Sequence, residues 1–240
     1  MRPVNLKNGC MICGEELVYR DSAAQMECAV CHRTFESNAV CRKGHFVCDE
    51  CHAKSGAELI IEECRHLKSG DPAEIMRELM RKPFIHMHGP EHHVLAGAAL
   101  LTAFKNSGGE VDLFEALEEM KRRGEKIPGG TCGFWGCCGA AISAGIFISI
   151  VTGATPLAKD EWKLANFVTA DALSAIAEKG GPRCCKRDSF LAVEAAVRAV
   201  KEHLGIEMGS GSRIKCEFSK LNGQCIGKRC PYNTANDNDI

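Results

Sequence analysis

Cysteine constrains this chain more than any other feature. Sixteen of its 240 residues are cysteine, eight between residues 10 and 64 and eight between 132 and 230. The first four, Cys10, Cys13, Cys28 and Cys31, follow the pattern C-x2-C-x14-C-x2-C. Each C-x-x-C brackets a tight turn that can place two sulfurs on one ion, and two such turns complete a tetrahedral thiolate site for zinc. Iron could use the same ligands. Gly14, directly after Cys13, permits the left-handed backbone common at such knuckles.

A second set follows at x3, x2 and x2 spacing: Cys41, His45, Cys48 and Cys51, with His52 adjacent as an alternative to His45. Two pairings are open. Sequential pairing puts Cys10, Cys13, Cys28 and Cys31 on one ion and the second set on another. Cross-braced pairing joins the first pair to the third and the second to the fourth. The ligand order resembles RING-type and related cross-brace fingers, and that resemblance implies contact with a protein partner. Cys64 and His66 read as a packed thiol and a surface histidine.

Dense cysteine can also mean a disulfide scaffold. The opening MRPVNLKNGC has no apolar stretch of signal-peptide kind, and the paired spacing suits metal, so metal binding in a reducing, cytoplasmic setting is expected. Phe, Trp and Tyr together make only 6 % of the chain, so the core must rely on aliphatic, Ala and Gly packing. A net charge of -1 gives no broad argument for nucleic acid or membrane binding. Residues 127–158 contain no Asp, Glu, Lys or Arg, a length that could span a bilayer. The apolar part is shorter, rich in Gly, Ala and Ser, and lacks aromatic belts, so it reads as a buried helix.

The expected fold class is a small zinc-ribbon or finger module (1–56), an all-α helical domain (57–209) and a cysteine-bearing C-terminal tail (210–240). Residues 57–68 read as an exit helix. Asp71-Pro72-Ala73-Glu74 is a helix start, with Asp at the N-cap and Pro at the first helical position. Further helices are expected over 90–107, 112–123, 135–152, 159–179 and 188–204, separated by Gly-rich joints.

Reactive chemistry is expected at three helix starts. Residues 86–93 read His-Met-His-Gly-Pro-Glu-His-His, where His88 and His92 share a side and Glu91 could orient a histidine or act as acid or base. Residues 129–139 place Cys132, Cys137 and Cys138 among five glycines. Residues 180–188 place Cys184 and Cys185 beside Arg183, Lys186 and Arg187. A thiol at a helix N-terminus should have a lowered pKa. If these turns converge, they form one site.

The tail adds Cys216, Cys225 and Cys230, the last followed by Pro231. A terminal Cys-Pro is familiar from iron–sulfur ligation. Three cysteines are one short of a full set, so Cys184 or Cys185 could supply a fourth ligand to a [4Fe–4S] cluster, or the cluster could keep an open iron. Zinc is the alternative. Residues 213–230 carry five Lys or Arg against one Glu, a stretch that could touch RNA.

The 86–93 turn, Gly-Cys-Cys-Gly at 136–139, Cys-Cys at 184–185 and Cys-Pro-Tyr at 230–232 resemble an uncharacterised cysteine-rich prokaryotic family, seen mainly in archaea and anaerobic bacteria. That resemblance implies sulfur or redox metabolism by association. Gly-Cys-Cys-Gly-Ala-Ala also resembles redox proteins with Gly-Cys-Ala helix starts, although Cys138 replaces the middle Ala. The leading expectation is therefore a metal- and thiol-dependent enzyme of sulfur transfer, desulfuration or redox chemistry acting on a small sulfur-containing or redox substrate. The alternatives are a zinc-dependent protein- or RNA-binding adaptor and a zinc hydrolase or lyase using His86–His93. No H-E-x-x-H pattern is present.

Overall fold

A computed structural model describes residues 10, 12, 15, 17–48, 51, 56–209 and 214–239. Cys13, Gly14 and His52 lie outside these described residues. The chain divides into two compact units. The first contains the residues up to Gly56 together with Arg81–Phe84, and the second contains Ala57–Met80 and everything from Ile85 onward.

The first unit is built on one antiparallel hairpin, β1 (Leu17–Glu27) and β2 (Thr34–Cys41). Leu17 pairs with Cys41 and Glu27 with Thr34, with an irregularity between Tyr19 and Ala24. Its strands bury little: Val18 and Tyr19 are exposed. A hairpin of this kind is marginal in water without another source of stability. Cys28, directly after β1, and Cys41, at the end of β2, are buried. The structure thus shows a hairpin beside a cysteine cluster.

The second unit is helical. Its elements are α1 (Gly56–Cys64), α2 (Pro72–Met80), α3 (His92–Asn106), α4 (Leu113–Gly124), α5 (Thr131–Phe134), α6 (Gly139–Thr152), α7 (Asp160–Lys179) and α8 (Cys185–Ala199). The caps follow the sequence logic. The Asp71 carboxylate accepts from Ala73 N–H at 2.8 Å, and Asp112 accepts from Glu115 N–H at 3.1 Å. The uncharged α6 packs against α3, α4, α7 and α8, so its all-round apolar surface is met by protein on several sides. Gly97 lets α3 and α6 approach closely: its N–H donates to Ser143 Oγ at 2.9 Å, and a Cβ there would overlap Met120 Sδ. No helix among the described residues is long and apolar enough to cross a membrane.

Two helix starts differ from expectation. The helix expected over 135–152 starts at Gly139, and Gly136, at φ 65°, separates it from the preceding single turn α5. α8 begins at Cys185 rather than Asp188. The Asp188 carboxylate reaches back to the Cys184 N–H at 3.4 Å, so it caps from inside the first turn. Residues 214–239 pack as short turns on the same unit: Cys216 N–H donates to Tyr232 O at 2.7 Å, and the Tyr232 hydroxyl donates to Glu194 at 2.9 Å.

Candidate metal and ligand sites

In the first unit the cysteines gather into two groups. Cys28, Cys31, Cys48 and Cys51 bring their sulfurs within 4.8 Å of one another. Cys10, Cys41 and His45 form the second group by the same measure. Either set can chelate a metal ion. The grouping is interleaved, since the second C-x-x-C shares a site with Cys48 and Cys51, and Cys10 shares one with Cys41 and His45. Of the two pairings open in the sequence, this is the cross-brace. His45 occupies the histidine position.

Local structure explains the convergence. The hairpin carries Cys28 and Cys41 at strand ends, and a bridge from Cys28 to Phe46 brings the chain after β2 back beside the turn after β1. Sulfur atoms receive backbone N–H groups, as ligand thiolates require. Ile12 N–H donates to Cys10 Sγ at 3.4 Å, His45 N–H to Cys41 Sγ at 3.3 Å, and Cys48 N–H to Cys28 Sγ at 3.4 Å. His32, just after Cys31, takes a left-handed φ of 57°. Burial raises Cys48 and Cys51. Cys31, bonded by the Arg33 guanidinium at 3.5 Å, is nonetheless lowered to about 6. Four thiols this close cannot all ionise unless a cation joins them.

In the second unit the candidate residues line two cavities. The first, of about 370 Å³, is walled by His88, His92 and His93 before and within α3. Thr131 and Cys132 of α5, Cys138 before α6, Arg183 before α8, and Cys185 with Asp188 of α8 complete its chemistry-bearing wall. The three histidines share one arrangement. His92 Nδ1 lies 3.2 Å from Gly89 O, and His93 Nδ1 lies 3.1 Å from Ile127 O. A carbonyl oxygen only accepts, so each Nδ1 carries the proton and each Nε2 a lone pair. His88 Nε2 lies 3.2 Å from Asn222 Oδ1, whose orientation is fixed because it also accepts from Gln224 N–H. His88 Nδ1 therefore carries the lone pair. Burial lowers His93 and takes His92 down to about 3, so both rings are neutral near pH 7. His88 Nδ1, His92 Nε2 and Thr131 Oγ1 are buried without a hydrogen-bond partner, and all three residues line this cavity.

Glu91 is turned to another task. Its carboxylate accepts the His86 backbone N–H at 2.9 Å and lies 3.2 Å from His86 Nδ1. Burial would raise it, but the His86 bonds and the nearby His92 hold it at about 2. It ties the turn together rather than lining the cavity. Cys137 also lies outside the cavity wall, half-buried in the turn before α6.

The expectation of lowered thiol pKa values is corrected at three positions. Burial pushes Cys138 up to about 12, Cys184 up to about 11, and Cys185 upward. The basic neighbours do act as expected, Arg187 favouring the Cys184 thiolate and Arg183 that of Cys185, but burial outweighs them. Arg187 also pairs through Nε with the buried Asp188 at 2.8 Å, and Lys186 donates to Met80 O at 3.5 Å.

The vicinal cysteines of α8 part company. Cys185 faces the histidine cavity, while Cys184 faces a second cavity whose wall includes Cys216, Cys225 and Cys230 from the tail. Sequence reasoning did not single out Asn222, which joins the two: its amide accepts from His88 and donates to Cys184 Sγ at 3.6 Å. Nothing in its sequence context marked it.

These features define a cysteine-rich protein with a hairpin module able to chelate metal and a multi-helical domain. A family of unknown function, DUF5714, matches residues 60–233. The chain belongs to that family. No curated protein and no solved structure matches it.

Proposed function

We propose that this protein is a zinc-dependent adaptor whose residues 10–51 hold two zinc ions and bind a protein partner. The interleaved grouping of Cys28, Cys31, Cys48 and Cys51 against Cys10, Cys41 and His45 carries this reading. Cys13 is the ligand the sequence offers to complete the second ion. Zinc fits a closed set of four thiolates, or three with one imidazole, and a site so closed serves structure rather than catalysis. The domains at 1–56, 57–209 and 210–240 then divide the labour, with the module as the docking element.

Charge favours protein over RNA as the partner. Residues 10–51 hold four basic side chains against seven acidic ones, and seven thiolates outweigh the positive charge of two zinc ions. Such a surface repels phosphate. Val18 and Tyr19 stand exposed on the hairpin as contact residues. Affinity capture with the intact chain and with Tyr19→Ser tests this. A partner lost by the variant at unchanged zinc content supports the reading; capture unaffected by deleting residues 1–56 contradicts it.

A second reading, that the helical domain is an enzyme, rests on the unpartnered lone pairs in the 370 Å³ cavity. Neutral histidines anchored on their far nitrogens are prepared to hold a metal ion or a hydrogen-bond donor. Thiol chemistry there would fall to Cys132, Cys138 or Cys185. A hydrolase using Glu91 as base is disfavoured, since that carboxylate is engaged by His86. Calorimetric titration of zinc into the chain and into His92→Ala discriminates: loss of one binding event in the variant supports the site, and identical isotherms contradict it.

A further inference from the structure

We propose that Cys184, Cys216, Cys225 and Cys230 bind a [4Fe–4S] cluster in the cavity between α8 and the tail. This site is separate from the zinc module and does not depend on it. The four sulfurs come from positions far apart in sequence, yet they line one cavity with the aromatic side chains of Phe190, Phe218 and Tyr232.

Three observations point to a polynuclear, anionic group. The first is spacing. One tetrahedral ion holds four sulfurs roughly 3.8 Å apart, given metal–sulfur bonds of about 2.3 Å. The ligand atoms of each group in the hairpin module lie within 4.8 Å of one another, but no three of these four sulfurs do. They are nevertheless close enough to act electrostatically: after burial, which is the main cause, Cys216 raises Cys184 and Cys230, and Cys225 raises Cys216. A cluster with iron at each corner spreads its ligands in this way.

The second is the bonding prepared for thiolates. Cys225 Sγ accepts the Gly227 backbone N–H at 3.4 Å, and backbone amides of Arg187, Phe218, Ser219 and Tyr232 favour the thiolates of Cys184, Cys216 and Cys230 against their burial. The amides of Asn222 and Asn233 add donors to Cys184 and Cys225. Such N–H···S bonds set the potential of iron–sulfur centres.

The third is an unspent cation. Arg187 is buried and lines the cavity. Its Nε bonds Asp188 and its Nη2 lies 3.4 Å from Pro182 O, but its Nη1 has no hydrogen-bond partner. Four cysteinyl thiolates around a [4Fe–4S]2+ core leave a net negative charge, which that nitrogen would meet. On binding, four S–H protons pass to solvent and four Fe–S bonds form, with no change in oxidation state. Because Cys184 and Cys185 are adjacent, the cluster would lie one residue from the histidine cavity.

The test is anaerobic reconstitution of the full chain with iron and sulfide, followed by metal and sulfide analysis and Mössbauer spectroscopy. The expected result is about four iron and four sulfide per chain and a broad visible absorption. Cys216→Ser and Cys230→Ser should lose most of the iron, whereas Cys185→Ser and the module variant Cys28→Ser should keep it. If a ligand variant fails to fold, as far-ultraviolet dichroism would show, Asn233→Ala provides the second arm: it removes a donor to Cys225 and should lower the cluster's midpoint potential. Zinc without sulfide at these cysteines, iron unchanged in the ligand variants, or an unmoved potential in Asn233→Ala would each overturn the proposal. None of these outcomes alters the zinc count of residues 10–51.

Discussion

Cys138 shows how two effects at one residue are weighed. It precedes α6, where the helix dipole favours a thiolate by about 0.3–1 kcal/mol. Its burial opposes this with a rise from 9.0 to about 12, which at 1.36 kcal/mol per unit is about 4 kcal/mol. Burial wins, and depth of burial is what a sequence window does not contain. The same ledger makes Asp188 the most sensitive charge in the helical unit. Asp188→Ala would strand a buried Arg187 and remove the carboxylate that caps Cys184 N–H. The expected loss is about 3–5 kcal/mol, read by denaturant unfolding. Acid should also weaken this unit. His92 is held neutral, its pKa depressed from 6.5 to about 3, so the unfolded chain takes up a proton first as pH falls through 6.5. Glu91, lowered from 4.5 to about 2, adds stability that is full above 4.5 and lost as pH falls through about 2. Unfolding free energy should therefore decline below pH 6.5 and more steeply below 4.5, and the first part of that slope should be shallower in His92→Asn, with the buried His93 supplying what remains.

Elements were more legible than their ends. The Asp71 and Asp112 caps and the uncharged stretch of α6 belong to local chemistry, and the helices stand where that chemistry places them. The ends moved where one residue did something nonlocal: Gly136 turned left-handed and cut α5 from α6, and Asp188 acted as a cap from inside its helix. Helix crossings depend on small residues that composition does not single out. At Gly97 a side chain would overlap Met120 and Ser143 of neighbouring helices, and at Gly145 it would overlap Thr169 of α7. Gly97→Val should cost about 1–3 kcal/mol through overpacking, seen as a lowered Tm with helical content intact below the transition.

Across the whole molecule, ligand identity was legible and ligand partnership was not. The C-x-x-C pairs announced metal, but the interleaving follows from a hairpin that brings strand ends together, a contact between positions far apart in sequence. The two cysteine-lined cavities likewise draw on residues from 87 to 233, and only the fold separates Cys184 from Cys185. The central claim is the cross-brace, and the pairing can be read by counting zinc. Cys28 and Cys48 share an ion if the sites interleave, but belong to different ions if they are sequential. The double variant Cys28→Ala/Cys48→Ala should thus keep about one zinc, with an X-ray absorption edge showing three sulfurs and one nitrogen. A double variant that binds no zinc in residues 10–51, while Cys28→Ala/Cys31→Ala retains one ion, would contradict the account.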